Sequence, residues 1–107
     1  IVLVTGATSG LGKAAAEIFA KNGHDVIITG RRKDRLEQLA GELQKQHQVN
    51  VLCLSFDVRN LKETETAIQS IPEAWKKIDV LVNNAGLAVG LNPIQEGVID
   101  DWERMID

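Results

Sequence analysis

The chain has a single cysteine, Cys53, in 107 residues, so no internal disulfide framework is possible. That scarcity fits a reducing compartment, and a cytoplasmic location is expected. Cys53 lies in the apolar run "VNVLCLSF", where it reads as a small buried strand residue. With no second cysteine and no paired histidine spacing, a metal site is not expected; His24 and His47 fall at predicted loop or helix-end positions. No apolar run approaches the roughly 20 residues that span a bilayer. No charged stretch followed by an apolar segment precedes the first strand, so no secretory leader is read. A basic excess is also missing. Twelve Lys and Arg face fifteen Asp and Glu, giving a net charge of −3, which argues against a nucleic-acid-binding surface. Repeats, low-complexity segments and linker-like stretches are absent as well. The length suits one domain and not two.

What is present alternates. "IVLVT" (1–5) is a β-branched run of the kind buried on both faces of a sheet. From Lys13 to Asn22 the pattern turns helical, with Ala14, Ala15, Ile18 and Phe19 expected on one apolar face and Gly23 as a left-handed stop. "DVIITG" (25–30) is a second strand. A charged helix follows, with Leu36, Leu39, Ala40 and Leu43 forming one stripe and Asp34 near the positive end of its dipole. "VNVLCLSF" (49–56) is a third strand. A third helix begins near Leu61, with Leu61, Thr64, Ile68 and Ile71 on one side and Pro72 disturbing its end. "IDVLVNNAG" (78–86) opens as a fourth strand and stops in a polar turn, and "DDWERMID" (100–107) opens another helix. Trp75 and Trp102 read as packing residues. Strands alternating with helices imply right-handed crossovers and a parallel sheet. The expected fold is therefore α/β, a Rossmann-type doubly wound parallel sheet in three α/β/α layers, with strand order 3-2-1-4. Strand 4 then forms an apolar edge that needs cover.

The glycines of "VTGATSGLG" follow the first strand and open the first helix. A turn there brings backbone close to a ligand, and the helix aims its free N–H groups and positive dipole end into the turn. Gly6 permits the sharp exit from the strand. Gly10 and Gly12 remove side chains that would block a phosphate or the helix–sheet contact. Thr8 and Ser9 add hydroxyls. The candidate pyrophosphate set is Gly6, Thr8, Ser9, Gly10, Leu11 and Gly12. The plain alternative is a strand–helix connection that happens to be glycine-rich.

About twenty residues past such a turn, an NAD enzyme places a carboxylate for the ribose hydroxyls. Here the second strand ends in Gly30-Arg31-Arg32. Arginine offers a fork of donors to a 2′-phosphate, so NADP(H) is expected as cofactor rather than NAD(H). The alternative is a solvated, charged helix start. Lys13 adds positive charge nearby, although it reads first as a surface residue.

The spacing T-G-x-x-x-G-x-G, "FDVRN" (56–60) and "NNAG" (83–86) stand in order, each at a strand's carboxyl end. Together they resemble the short-chain dehydrogenase/reductase family, and the resemblance covers the whole chain. "TGRR", "IPEAW", "IDVLVNNAGLA" and "DDWERMID" are similar to a bacterial subgroup acting on 3-hydroxy acids. The resemblance implies that Asp57 accepts from the adenine amino group, with Val58 in backbone and apolar contact. It implies that Asn83 and Asn84 hold the strand end, and that Ala85 and Gly86 leave room for the ribose beside the nicotinamide. Asp57 has a bland alternative as a helix N-cap, and the asparagines as turn formers.

The family's chemistry uses a Tyr-x-x-x-Lys pair, a Ser and an Asn, and this sequence has no tyrosine. Ser9, Ser55 and Ser70 do not match the catalytic serine motif, so no catalytic residue is assigned. Residues 1–107 are expected to be the N-terminal part of a single dinucleotide-binding domain in a longer enzyme. The function so implied is hydride exchange between NADP(H) and a small alcohol or carbonyl, by resemblance a 3-hydroxy acid such as serine or allo-threonine. A non-catalytic NADP(H)-sensing module, or a reductase for another carbonyl, are the alternatives. A small-molecule partner is expected, with no nucleic acid and no membrane; the family implies a homo-oligomer, commonly a tetramer.

Overall fold

The computed structural model describes residues 1–8 and 10–84. The elements run β1 (Val2–Thr5), α1 (Gly10–Lys21), β2 (Val26–Gly30), α2 (Lys33–His47), β3 (Val51–Ser55), α3 (Leu61–Gln69), a short 3-10 helix (Glu73–Trp75) and β4 (Val80–Asn83). The helix expected over 100–107, and Trp102 with it, lie outside the described residues.

All strand pairs are parallel and the sheet order is β3-β2-β1-β4, as expected. The strands are continuous apolar runs because both faces are covered. Val2, Val4, Val26 and Ile28 point to the α1/α2 face and pack with Ala16, Ala20, Leu36, Leu39 and Leu43. Leu3, Ile27, Leu54 and Leu81 point the other way and meet Phe56, Ile71 and Ile78, with Ala67, Ile68 and Trp75 packed alongside. These are the three layers of the expected architecture. β1 sits between two neighbours, whereas β4 pairs only with β1 among the described residues.

The α2 stripe is as read: Leu36, Leu39, Ala40 and Leu43 are all buried. The α1 face differs. Gly12, Ala16 and Ala20, spaced a turn apart, face the sheet; Ala15 and Phe19 flank them, while Ala14 is exposed and Ile18 is 59% exposed. The reason is close packing. Small side chains at i, i+4 and i+8 let the helix lie near the strands, whereas Ile18 in that seam would hold it away. Gly23 ends α1 at φ +87°, with its N–H bonded to Ala20 O (2.9 Å) and that of His24 to Phe19 O (3.1 Å). This is a Schellman stop, sealed by the edge-on contact of Phe19 with His24.

In α3 the expected side holds for Thr64 and Ile68 but not for Leu61. Thr64 is buried and Leu61 is 59% exposed. The Thr64 hydroxyl donates to Asn60 O at 2.9 Å, which makes a buried threonine acceptable there. Ile71 is buried but lies past the helix end, and Pro72 caps the short helix that follows. Cys53 is half-buried on β3, with Sγ 3.6 Å from Leu36 O, and burial pushes its thiol pKa up. Among the described residues, no helix is long and apolar enough to cross a membrane.

Denaturant titration of the intact protein tests this packing. Leu36→Ala, at a fully buried position, is expected to cost about 2–5 kcal/mol. Leu61→Ala is expected to stay within about 0.5 kcal/mol. Equal costs at the two positions would contradict the α3 orientation.

Candidate functional site

Four strand ends converge on one crevice of about 400 Å³, lined by Gly6, Thr8, Thr29, Gly30, Arg31, Phe56, Asp57, Val58, Arg59 and Asn84. Each strand of the sheet reaches it: Gly6 and Thr8 follow β1, Arg31 follows β2, Asp57 to Arg59 follow β3 and Asn84 follows β4. A parallel sheet presents its carboxyl ends together, and a topological switch point opens the crevice there. A larger groove of about 530 Å³ runs between β3 and α3 at the sheet edge. It lacks both the glycine turn and the arginines.

The glycines divide their work. Gly6 and Gly10 adopt φ +62° and +58°, the left-handed region that disfavours other residues. Nothing lies within 4 Å of where a Cβ on Gly10 would be, so its requirement is conformational. Gly12 is the close approach. A Cβ there would overlap the Gly6 carbonyl and lie 2.9 Å from Asn84 Nδ2. That amide donates to Gly6 O at 3.1 Å. The Thr5 hydroxyl donates to Asn83 Oδ1 at 3.1 Å, tying β1 to β4 beneath the turn. The two asparagines thus lock the end of β4 to the start of the glycine turn.

Arg31 and Arg32 separate. Arg31 lines the crevice, while Arg32 is the exposed N-cap of α2, in extended conformation and without a side-chain capping bond. Lys13 and Thr8 line a neighbouring polar cleft with Arg35 on α2. Leu11 is 81% exposed and, with Ala14, Ile18, Val82 and Asn83, borders an apolar cleft beside the turn. Ser9, Ala85 and Gly86 lie outside the described residues.

Asp57 is not the helix cap. Asn60 takes that role, its side chain accepting from Glu63 N at 3.0 Å. Asp57 instead accepts from the backbone N–H and guanidinium of Arg59, which holds its carboxyl pKa down at about 2. It remains an anion, and purely an acceptor, across the neutral and mildly acidic range. Arg59, Thr29 and Phe56 were not singled out from the sequence. The signal for Arg59 was its place two residues after Asp57 in "FDVRN".

A dinucleotide fits these features on two counts. Gly12 brings no side chain of its own to the seam, so the N-terminus of α1 packs directly against the turn, and a helix N-terminus facing a glycine turn is a pyrophosphate-binding arrangement. Among the described residues, the buried Thr29 Oγ1 has no hydrogen-bond partner and borders the crevice, and a buried polar atom of that kind awaits one.

Comparison with known proteins gives the same assignment. The family model for the short chain dehydrogenase matches residues 1–107. The chain belongs to the short-chain dehydrogenase family. It is 53% identical over 107 residues to the NADP-dependent 3-hydroxy acid dehydrogenase YdfG of Salmonella typhi, covering 100% of this chain and 42% of that protein. It therefore spans less than half the length of that relative. The crystal structure of serine dehydrogenase from Escherichia coli is 47% identical, with a TM-score of 0.72 over 98% of this chain and 47% of that one. The L-sorbose reductase of Gluconobacter frateurii, solved with NADPH and L-sorbose, is 35% identical with a TM-score of 0.74, covering 82% and 34%. As a short-chain dehydrogenase segment, the chain carries Gly6, Arg31, Asp57 and Asn84 just past the ends of β1, β2, β3 and β4.

The two kinds of glycine requirement are separable by substitution. Gly10→Ala is expected to cost about 1–2 kcal/mol through φ alone. Gly12→Ala is expected to cost about 1–3 kcal/mol through crowding and also to shift the NMR signals of the Asn84 side-chain amide. An unmoved Asn84 amide in Gly12→Ala would contradict the close approach.

Proposed function

We propose that the intact protein is an NADP(H)-dependent oxidoreductase. It would interconvert a small alcohol and its carbonyl, with a 3-hydroxy acid such as serine or allo-threonine as substrate. The observation that carries this reading is the pairing of the glycine turn with Arg31 in one crevice, where an NAD enzyme would have a carboxylate. The similarity to a 3-hydroxy acid dehydrogenase and to a serine dehydrogenase supports the substrate class.

In this reading the helix N-terminus and the turn amides bind the pyrophosphate, with Gly6, Gly10 and Gly12 giving it access. Thr8, Ser9 and Leu11 complete the turn. Arg31, which lines the crevice, would offer bidentate donors to the adenosine 2′-phosphate, with Arg32 adding positive charge from the α2 cap. Asp57 accepts from the base amino group, and Val58 packs against the base. Asn83 and Asn84 hold the strand end, so that Ala85 and Gly86 flank the ribose. The dinucleotide, when bound, supplies the hydride chemistry. No residue of this chain is assigned as the acid or base of the reaction. We also propose a cytoplasmic location, in keeping with the single cysteine, and a homo-oligomer by resemblance to the family.

Initial-rate kinetics on the full-length protein test the reading against a panel of oxo acids and aldehydes. NADPH is expected to be preferred over NADH. Arg31→Met is expected to lose about tenfold or more of that preference, the order of a charged hydrogen bond to phosphate. A wild-type preference for NADH would overturn the cofactor assignment.

A further inference from the structure

At the "FDVRN" corner, Arg59 folds back on Asp57. Its backbone N–H donates to Oδ1 at 2.9 Å, its Nε to Oδ1 at 3.1 Å and Oδ2 at 3.2 Å, and its Nη2 to Oδ2 at 2.9 Å. The Arg59 side chain is 74% exposed and that of Asp57 28%. An ion pair this exposed adds little to stability. Asn60 already caps α3, so capping does not account for it either. Both residues line the crevice.

A carboxylate has about four acceptor positions. Arg59 takes two on Oδ1; on Oδ2 it takes one and shares another. We propose that Arg59 is a positioning residue: it fixes Asp57 as a single oriented acceptor, so that the crevice selects a base bearing an exocyclic amino group over one bearing a carbonyl at that place. This rests on the dinucleotide reading given above. A free carboxylate would turn away from a ligand carbonyl and relieve the repulsion of lone pairs. A carboxylate held by a two-pronged guanidinium and a backbone amide cannot, so it discriminates. As an anion at neutral pH, Asp57 has no proton to offer a carbonyl. Arg31, the other cation near Asp57, adds to that bias through space.

The test compares NADPH with its hypoxanthine analogue, in which a carbonyl replaces the adenine amino group and the neighbouring N1 gains a hydrogen. Affinities are read by fluorescence titration of the full-length protein, without turnover. The wild type is expected to favour the amino form by about tenfold, the order of one charged hydrogen bond. Arg59→Met is expected to bring the two within about twofold of each other, as the oriented bond is lost. Arg59→Lys, which keeps the charge but not the fork, is expected to lose most of the preference. It carries the test if Arg59→Met does not fold. Full preference in either folded variant overturns the proposal. So does a wild type that binds both dinucleotides equally, while the dinucleotide reading would stand. A wild type that binds neither would sink that reading instead.

Discussion

The hydrogen bond from Asn84 Nδ2 to Gly6 O, with Gly12 pressed against the same carbonyl, holds the site in shape. It joins the last described strand to the first turn across 78 residues of sequence. Gly12 is also the first of the small residues along which α1 lies close to the sheet, followed by Ala16 and Ala20. One contact therefore fixes the exit of β1, the start of α1 and the end of β4. The position of the helix N-terminus, and so the direction of its positive end, follows from it.

Around that seam the sheet does the rest. Parallel pairing puts Thr5, Gly30, Ser55 and Asn83 at one rim. The loops leaving it carry nearly all the polar chemistry of the crevice. The cation of Arg31, the anion of Asp57 and the amide of Asn84 come from three strands that the sequence keeps 26 to 27 residues apart, and the sheet brings them to one cavity. The solved relatives share the fold that does this.

Much of it was legible in the sequence. The β-branched runs declared the strands, and α2 declared its buried face because four apolar residues stand out against a charged helix. α1 was misjudged for the opposite reason: "GLGKAAAEIFAK" is mostly small or apolar around its circumference, and close approach favoured Ala16 over Ile18. In α3 Thr64 was read correctly as buried and is held by its bond to the Asn60 carbonyl, whereas Leu61, in the first turn, stays exposed. At the site, "GRR" offered two equivalent arginines, and the turn from β2 into α2 sends only the first into the crevice lining. Arg59 was passed over because its importance lies in a local fold-back onto Asp57 rather than in a spacing pattern.

The central claim is that the glycine turn and the three other strand ends together form a dinucleotide crevice. The most direct measurement is an NMR titration of the intact protein with NADP⁺, following backbone amides. Shifts are expected to concentrate at Gly6 to Gly12, Arg31 and Asp57 to Arg59. Shifts centred on the groove between β3 and α3, or no shifts at saturating concentration, would contradict that claim.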